Sequence, residues 1–175
     1  LAVYHVFLYR YSGQSDFGIG APLANRHYKG SENLIGLFIN TVVMRPRLEV
    51  SQSFEEFLKN IKSFSLDAFS NNDVPFEMIV KELNPQRELS HNPLFQVLFD
   101  FRNTPRPALE FPDLQIDIIE QESGTVKFDL VLSMEQTSDG LNGIFGFNTD
   151  LFKRETIQKL IGYFTTLVEN IVENP

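Results

Sequence analysis

The sequence contains no cysteine and no tryptophan, and it has only three histidines in 175 residues. Without cysteine, a disulfide, a thiolate metal site and a cysteine nucleophile are excluded. The histidines, His5, His27 and His91, are widely separated and the carboxylates are scattered, so no spacing indicates a metal site. No serine lies in an arrangement with a base that would indicate a Ser-His-Asp triad. We therefore expect neither a metal site nor a triad in this chain.

Positive charge and long apolar runs are also scarce. The chain carries 15 lysines and arginines against 23 acidic residues, which gives a formal net charge of −8. A general nucleic-acid binder needs clustered lysine and arginine to neutralise phosphates, so we expect no nucleic-acid partner. No apolar run approaches the length of a membrane span and no signal peptide is visible, so we expect no membrane partner and a cytoplasmic protein.

The residues that are present are typical of a globular domain, with 42% hydrophobic and 22% charged residues and 17 phenylalanines. A chain of this length can bury a core of its own, so we expect residues 1–175 to form a single domain. The helical pattern begins at Leu1 without an N-cap residue, which is typical of a chain cut from a longer one. We therefore expect a fragment of a larger protein.

Helical and strand patterns alternate along the sequence. The predicted helices are residues 1–11, 53–68, 75–83 and 153–173. The predicted strands are residues 17–21, 34–43, 94–101, 114–118, 128–134 and 141–148. Gly13 is a good stop for the first helix, and Ser53 with Glu56 forms a capping-box signature at the start of the second. This alternation predicts an α/β or α+β layered fold, in which helices cover a mixed β-sheet.

Three connecting segments have unusually specific sequences, namely residues 35–41, 72–77 and 90–97. In the first segment, Gly36 and Asn40 interrupt an otherwise apolar strand. Glycine weakens a strand interior and usually marks the close approach of another group, and a buried asparagine must find hydrogen-bond partners. These two positions therefore favour the wall of a channel over ordinary core.

In order and spacing, these segments resemble motifs of the condensation domains of nonribosomal peptide synthetases. Further segments match the same family at residues 10–16, 19–26, 87–90, 124–130 and 148–152. The matches run from Tyr4 to the C-terminus, so the resemblance covers essentially the whole sequence. It implies a lobe similar to chloramphenicol acetyltransferase, and the chain corresponds to the C-terminal lobe of a condensation domain without the N-terminal lobe.

The resemblance also implies a function. Condensation domains have two such lobes with the active-site tunnel between them, and this chain would supply one wall. The family's catalytic signature, two adjacent histidines followed by three residues and Asp-Gly, belongs to the other lobe and occurs nowhere in this sequence. We therefore expect no catalytic residue here and no enzymatic activity from the isolated chain, whereas the parent protein forms peptide bonds. His91, where the family more often has arginine, is not expected to replace the signature.

Partners follow from the same resemblance. In the family, an amine on the phosphopantetheine arm of one carrier protein attacks a thioester on another, so the arms are substrate carriers and the lobe itself binds no cofactor. The expected partners are the N-terminal lobe, peptidyl carrier proteins and a neighbouring adenylation domain. Apolar surface left bare by the absent lobe favours self-association of the isolated chain. A segment that crosses to the other lobe is expected at about Gln121–Gln136.

The candidate tunnel residues are Gly36, Asn40 and Asn92. Asn40 is expected either to hydrogen-bond the pantetheine amides or to bridge strand ends structurally, and the sequence favours neither role. Asn92 has the same two interpretations, and turn formation before Pro93 is the simpler one. Gly36 is expected to serve packing more than ligand contact.

Two other classes of function stay open at the level of the sequence. One is a lobe of an epimerisation or cyclisation domain, or of a coenzyme A-dependent acyltransferase from the same superfamily. The Asn-Pro-Leu-Phe-Gln-Val segment at 92–97 and the Gly-Thr-x-Lys-Phe-Asp-Leu segment at 124–130 favour peptide condensation over these. The other class is a non-catalytic scaffold domain, and the uncapped first helix argues against it.

Overall fold

Helices and strands alternate along the chain. The computed structural model describes residues 1–26, 28–49, 51–85, 92–102 and 124–174. The helices in these ranges are α1 (Ala2–Ser12), α2 (Phe54–Ser70), α3 (Phe76–Leu83) and α4 (Arg154–Glu173), and a short 3-10 turn spans Ser31–Asn33. The strands are β1 (Ile19–Leu23), β2 (Asn40–Met44), β3 (Val97–Arg102), β4 (Leu130–Thr137) and β5 (Gly140–Phe147). None of the described helices is long and apolar enough to cross a membrane.

The strands form one mixed sheet in the order β2-β1-β3-β4-β5. The central strands β1, β3 and β4 run parallel to one another. The outer strand β2 pairs antiparallel with β1, and the outer strand β5 pairs antiparallel with β4. Parallel neighbours need a crossover connection, whereas antiparallel neighbours can be joined by a tight turn. Accordingly, a two-residue turn joins β4 to β5, as the Ser-Asp-Gly sequence at 138–140 predicts.

The helices α1, α2 and α4 pack against one face of this sheet. Alternate strand residues point to the same face, and the strand register places Ile19, Val42, Phe99, Leu132 and Phe145 on the helical side. They join one hydrophobic core with apolar side chains of the helices, namely Tyr4, Phe7, Leu8, Phe64, Ala68, Ile157, Leu160 and Leu167. The apolar stripes of α1 and α4 therefore explain which face of the sheet is covered.

The opposite face of the sheet carries small, polar and charged residues beside apolar ones. We call it the open face, and the register assigns to it Gly20, Pro22, Thr41, Val43, Leu98, Asp100, Arg102, Val131, Ser133, Glu135, Asn142 and Ile144. A sheet with one face on the core and the other available shows this alternation of apolar and polar residues. Among the described residues of the open face, Gly20 is buried, whereas Arg102, Asn142 and Ile144 are exposed, so part of this face is available to a second structural layer.

Local signals in the sequence explain most element boundaries. The Ser53 side chain accepts a hydrogen bond from the Glu56 amide, and the Glu56 side chain accepts one from the Ser53 amide, so the predicted capping box at α2 is confirmed. Gly13 ends α1 with a φ of 73°, in the left-handed region that glycine adopts without steric cost. Asn84 ends α3 with a φ of 40°.

The prediction of a buried strand over residues 34–43 is wrong for its first six residues. Pairing between β1 and β2 begins at Leu23 and Asn40, so the preceding residues have no strand partner in β1. Residues 34–39, which we call the arm, instead point apolar side chains into solvent. The exposed fractions are 56% for Leu34, 105% for Ile35, 91% for Leu37 and 62% for Ile39.

Other boundaries shift by a few residues. β1 continues through Pro22, where the sequence predicts a stop, because its parallel pairing with β3 involves only Ile19 and Gly20. The missing N–H of Pro22 therefore leaves no ladder bond to β3 unmade. The predicted strand at 114–118 lies outside the described residues.

The predicted crossover segment at Gln121–Gln136 is wrong over its last seven residues. Residues 130–136 belong to β4, which is paired on both sides within the sheet of this chain, with β3 and with β5. A strand whose two edges are both occupied cannot pair with another lobe. Residues 121–123 lie outside the described part of the chain.

His5 of α1 is buried against the segment before β1 and against α2. Its ring stacks on Phe17 with centroids 4.4 Å apart and lies 5.5 Å from the ring of Phe57. Neither ring nitrogen has a hydrogen-bond partner among the described residues. Burial lowers the pKa of His5 from 6.5 to about 4, because the apolar surroundings disfavour the charged form.

This burial predicts a loss of stability in mild acid. The unfolded chain binds the His5 proton at a higher pH than the folded chain, so the free energy of unfolding falls as the pH drops from about 6.5 towards 4. We expect a contribution of about 2 kcal/mol between pH 7.5 and pH 5. Urea unfolding of the wild type and of His5→Phe, each at pH 7.5 and pH 5, measures how much of the pH-dependent loss of stability comes from His5. A pH-dependent loss of equal size in both proteins would contradict the prediction.

Candidate functional site

The family-like segments of the sequence meet at one end of the open face. Phe95, in the segment 92–97, is 2% exposed. Its ring lies 5.4 Å from that of Phe76 and stacks on that of Phe128 at 5.2 Å. The same ring lies against the backbone of Gly20, where an added Cβ would come within 2.2 Å of it. We call Gly20, Phe76, Phe95 and Phe128 the aromatic cluster, and it joins four segments that are far apart in the sequence.

Asn40 ties the start of β2 to the loop before α3. Its Nδ2 donates hydrogen bonds to the carbonyl oxygens of Asn72 at 2.7 Å and Val74 at 2.9 Å. Its Oδ1 accepts from the amides of Thr41 at 2.9 Å and Phe76 at 3.1 Å. Both donors and both lone pairs of the amide are therefore used. These four bonds favour the bridging role of Asn40, and a tunnel-lining role stays a prediction.

Asn92 joins the segment before β3 to the segment before β4. Its Nδ2 donates to the carbonyl oxygen of Lys127 at 2.7 Å, and its own carbonyl oxygen accepts from Nε2 of Gln96 at 3.1 Å. The Gln96 carbonyl oxygen in turn accepts from the amide of Asp129 at 2.9 Å. The amide of Asn92 thus holds together the two loops that carry Phe95 and Phe128. Its role in a tunnel also stays a prediction.

Gly36 lies apart from the other two predicted tunnel residues. It is exposed in the middle of the arm, and a Cβ at this position would come within 3.1 Å of the Phe38 ring. This contact supports the expected packing role of Gly36 within the arm. The structure therefore brings the loops of Asn40 and Asn92 together at the aromatic cluster and leaves Gly36 outside it.

A groove of about 650 Å³ lies at the carboxyl ends of β1, β3 and β4. Its walls include Leu23 of β1, Phe101 of β3 and Phe69 of α2, and Arg102 and Glu135 also contribute. Nε of Arg102 lies 3.1 Å from Oδ2 of Asp100, which forms an ion pair next to the groove. Ligands of open α/β sheets usually bind at the carboxyl ends of parallel strands, so this edge is suited to binding.

The site offers binding groups without an evident acid–base pair. His5, the histidine within the described ranges, lies between helices on the covered side of the sheet. His27 and His91 lie outside those ranges. No group of three potential metal ligands occurs in the part of the chain that the structure describes. The described residues of this face offer apolar surface and hydrogen-bonding groups.

A family model for the condensation domain matches residues 1–175. The chain belongs to the condensation-domain family. Among curated relatives, a linear gramicidin synthase of Brevibacillus parabrevis is 44% identical over 176 residues, which cover 99% of this chain and 4% of that protein. Gramicidin S synthase 2 of Brevibacillus brevis is 38% identical over 175 residues, which cover 100% of this chain and 4% of that protein. The chain thus spans only a small part of the length of these relatives.

Solved structures confirm the predicted fold. The X-domain from teicoplanin biosynthesis is 26% identical with a TM-score of 0.88, over 99% of this chain and 40% of that one. The first condensation domain of the calcium-dependent antibiotic synthetase, in complex with a substrate analogue, has a TM-score of 0.80 at 17% identity, over 99% of this chain and 38% of that one. This condensation-domain chain therefore has the chloramphenicol acetyltransferase-like α/β fold.

The sequence interpretation missed Gly20 and Phe95, although a signal for Gly20 was present. Glycine inside a strand often marks the close approach of another group, and this argument was applied to Gly36 instead. Gly20 is the position where it holds, because Phe95 occupies the space of the missing side chain. Nothing in the local sequence of Phe95 shows which strand its ring will reach.

Removal of the Asn40 amide should destabilise the condensation-domain chain. Asn40→Ala leaves two carbonyl oxygens and two backbone N–H groups without this partner, so we expect a loss on the order of 1–3 kcal/mol in the free energy of unfolding. Asn170→Ala is the matched control, because Nδ2 of Asn170 bonds, within the described part of the chain, to Thr166 of its own helix. Urea unfolding curves that are the same for Asn40→Ala and the control would refute the bridging role.

The same variant separates the two interpretations of Asn40 in the intact domain. A lowered melting temperature with an unchanged condensation rate would reject the tunnel-lining role. A lowered rate with an unchanged melting temperature would favour it instead.

Gly20→Ala should disrupt the aromatic cluster. The added methyl group would overlap the buried Phe95 ring, and overpacking of this kind costs roughly 1–3 kcal/mol. Gly162→Ala is the control, because a Cβ at this position in α4 meets nothing within 4 Å, and alanine in a helix interior stabilises by about 0.5–1 kcal/mol relative to glycine. In thermal or urea unfolding, the stability of Gly20→Ala should therefore fall and that of Gly162→Ala should rise. A change of the same sign in both variants would contradict the packing argument.

Proposed function

We propose that this chain is the C-terminal half of a condensation domain that forms peptide bonds in nonribosomal peptide synthesis. The observation that carries the proposal is a condensation-domain fold whose sheet has one open face, bordered by the groove at the carboxyl ends of β1, β3 and β4. Parallel strands are usually covered on both faces, so a sheet with three parallel strands and helices on one face favours a second layer on the other. The open face is the wall that this half would contribute to a substrate tunnel.

The proposed reaction joins two carrier-bound substrates. The amine nitrogen on the acceptor's phosphopantetheine arm attacks the carbonyl carbon of the donor thioester, so a C–N bond forms and the C–S bond breaks. The amine proton leaves, and the thiol of the donor arm is released in its protonated form. The sequence of this half has no pair of adjacent histidines, so the acid–base group would come from the other half.

The arm and the open face would contact the N-terminal half of the domain. Four apolar side chains of the arm are more than half exposed. Contiguous apolar surface of this kind is typical of an interaction site. The chain covers only 40% of the X-domain chain that shares its fold, which agrees with a half-domain. In the absence of the other half, the same surface favours self-association.

Carrier proteins and an adenylation domain are the remaining proposed partners. This chain covers only 4% of each of the two synthases that it matches, so they have room for such domains. The phosphopantetheine arms belong to the carrier proteins, and this half would bind them only as substrates. A cytoplasmic location stays a prediction, as does the absence of a nucleic-acid or membrane partner.

A second candidate function is a non-catalytic docking domain. It is favoured by the structure of the teicoplanin X-domain in complex with OxyB, which is 26% identical with a TM-score of 0.83. That similar domain binds a partner protein. Lobes of epimerisation, cyclisation or coenzyme A-dependent acyltransferase domains are the enzymatic alternatives.

One assay separates these functions. The intact two-half domain is incubated with an aminoacyl donor carrier protein and an aminoacyl acceptor carrier protein, and the acceptor-bound product is analysed by mass spectrometry. Condensation gives a dipeptidyl thioester, and cyclisation gives a product that has lost a further water. Epimerisation leaves the mass on both carriers unchanged, so it is detected by chiral chromatography of the residue that is hydrolysed from its carrier. A coenzyme A thioester in place of the donor carrier tests the acyltransferase.

We expect a dipeptidyl product from the intact domain and none from the 175-residue chain alone, because the chain lacks the paired histidines. Absence of product from the intact domain, with binding of both carriers retained, would favour the docking function. Product from the 175-residue chain above the no-enzyme background would refute its proposed inactivity.

A further inference from the structure

Four of the six residues of the arm keep apolar side chains in solvent. This exposure is unfavourable by itself, so other contacts must hold the backbone of the arm. An apolar loop without such contacts would fold back onto the nearest apolar surface. The structure shows which contacts hold it, and three of them involve one side chain, Arg26.

Arg26 binds both the start and the middle of the segment that forms the arm. Its Nη1 donates to the carbonyl oxygens of Ser31 and, at 3.0 Å, Leu34. Its guanidinium carbon lies 4.2 Å from the centroid of the Phe38 ring, which is a cation–π distance. A planar guanidinium presents five donors in a rigid fork and stacks on aromatic faces, so it suits a site that combines two carbonyls with a ring.

Two further contacts complete the fixation of the arm. At its far end, Asn40 is tied to the loop before α3 by four hydrogen bonds. In its middle, Gly36 leaves room for the Phe38 ring, which a Cβ would approach to 3.1 Å. The backbone is thus held on both sides while Ile35 and Leu37 stay exposed.

We propose that Arg26 is a positioning residue, which preorganises the arm for docking onto the N-terminal half of the condensation domain. The inference rests on the proposed function, because it takes that half as the occupant of the arm's apolar face. A segment already ordered before association loses less conformational entropy on docking. Arg26 itself touches neither substrate nor reacting atoms in this arrangement.

The first measurement tests the arm in the 175-residue chain alone. Chymotrypsin cleaves after Leu37 or Phe38 only when several residues of the arm leave their folded conformation. We expect cleavage at these two sites to be about tenfold faster in Arg26→Gln than in the wild type, because local opening costs less free energy. Arg26→Lys keeps the charge but not the planar guanidinium. Its cleavage rate should lie between the rates of Arg26→Gln and the wild type. Arg154→Gln, with the same charge change on α4, should cleave at the wild-type rate.

The second measurement tests the consequence in the intact domain. We expect dipeptide formation by Arg26→Gln to show a kcat lowered about fivefold to tenfold with an unchanged KM for the carrier proteins, because the arm positions the domain halves without binding carriers. Arg26→Lys should recover part of the kcat, and Arg154→Gln should match the wild type. Phe38→Leu, which removes only the stacking, should give a smaller decrease.

Each outcome decides the proposal. Equal cleavage rates in Arg26→Gln and the wild type would overturn the role of Arg26 in fixing the arm. Faster cleavage with an unchanged kcat would overturn the docking role. A wild-type intact domain that forms no dipeptide would refute the proposed function instead, while the cleavage comparison would still report on Arg26.

Discussion

The Phe95 ring rests directly on the backbone of Gly20, and the loops of the candidate site depend on this contact. Only glycine permits it, since any Cβ would overlap the ring. The rings of Phe76 and Phe128 then pack on Phe95 and bring in the loops before α3 and β4. Asn40 and Asn92 add hydrogen bonds between the same loops. The family-like segments therefore serve mainly to assemble one another, and the surface they create is available for binding.

The two faces of the sheet differ in composition, and this difference relates the packing to the proposed function. On one side, α1, α2 and α4 bury a continuous apolar core. On the other side, small and charged residues such as Gly20, Ser133 and the Asp100–Arg102 pair cannot supply a second core. Such a face is suited to a tunnel wall between two lobes, where substrates need room and hydrogen-bond partners. The proposed half-domain has its own hydrophobic core, and the proposed second half would complete its site.

The arm exposes apolar side chains on a backbone that polar contacts hold in place. Collapse of these side chains onto the rest of the chain would compete with the proposed partner half. Arg26 and Asn40 hold the two ends of the segment by bonds to backbone carbonyls, so the order does not depend on burial of the arm. The polar contacts fix the backbone, and the apolar side chains remain available to a partner.

Local chemistry in the sequence determined the helices, the capping box at Ser53, the β4–β5 hairpin and the family, because these depend on neighbours within a few residues or on motif order. The exposure of residues 34–39 depended on strand pairing instead. Residues 34–39 have the composition of a buried strand, but β1 ends at Leu23 and offers them no partner, so only the tertiary structure exposes them. The same holds for Gly20 and Phe95, whose contact joins residues 75 positions apart, a distance over which the local sequence carries no signal.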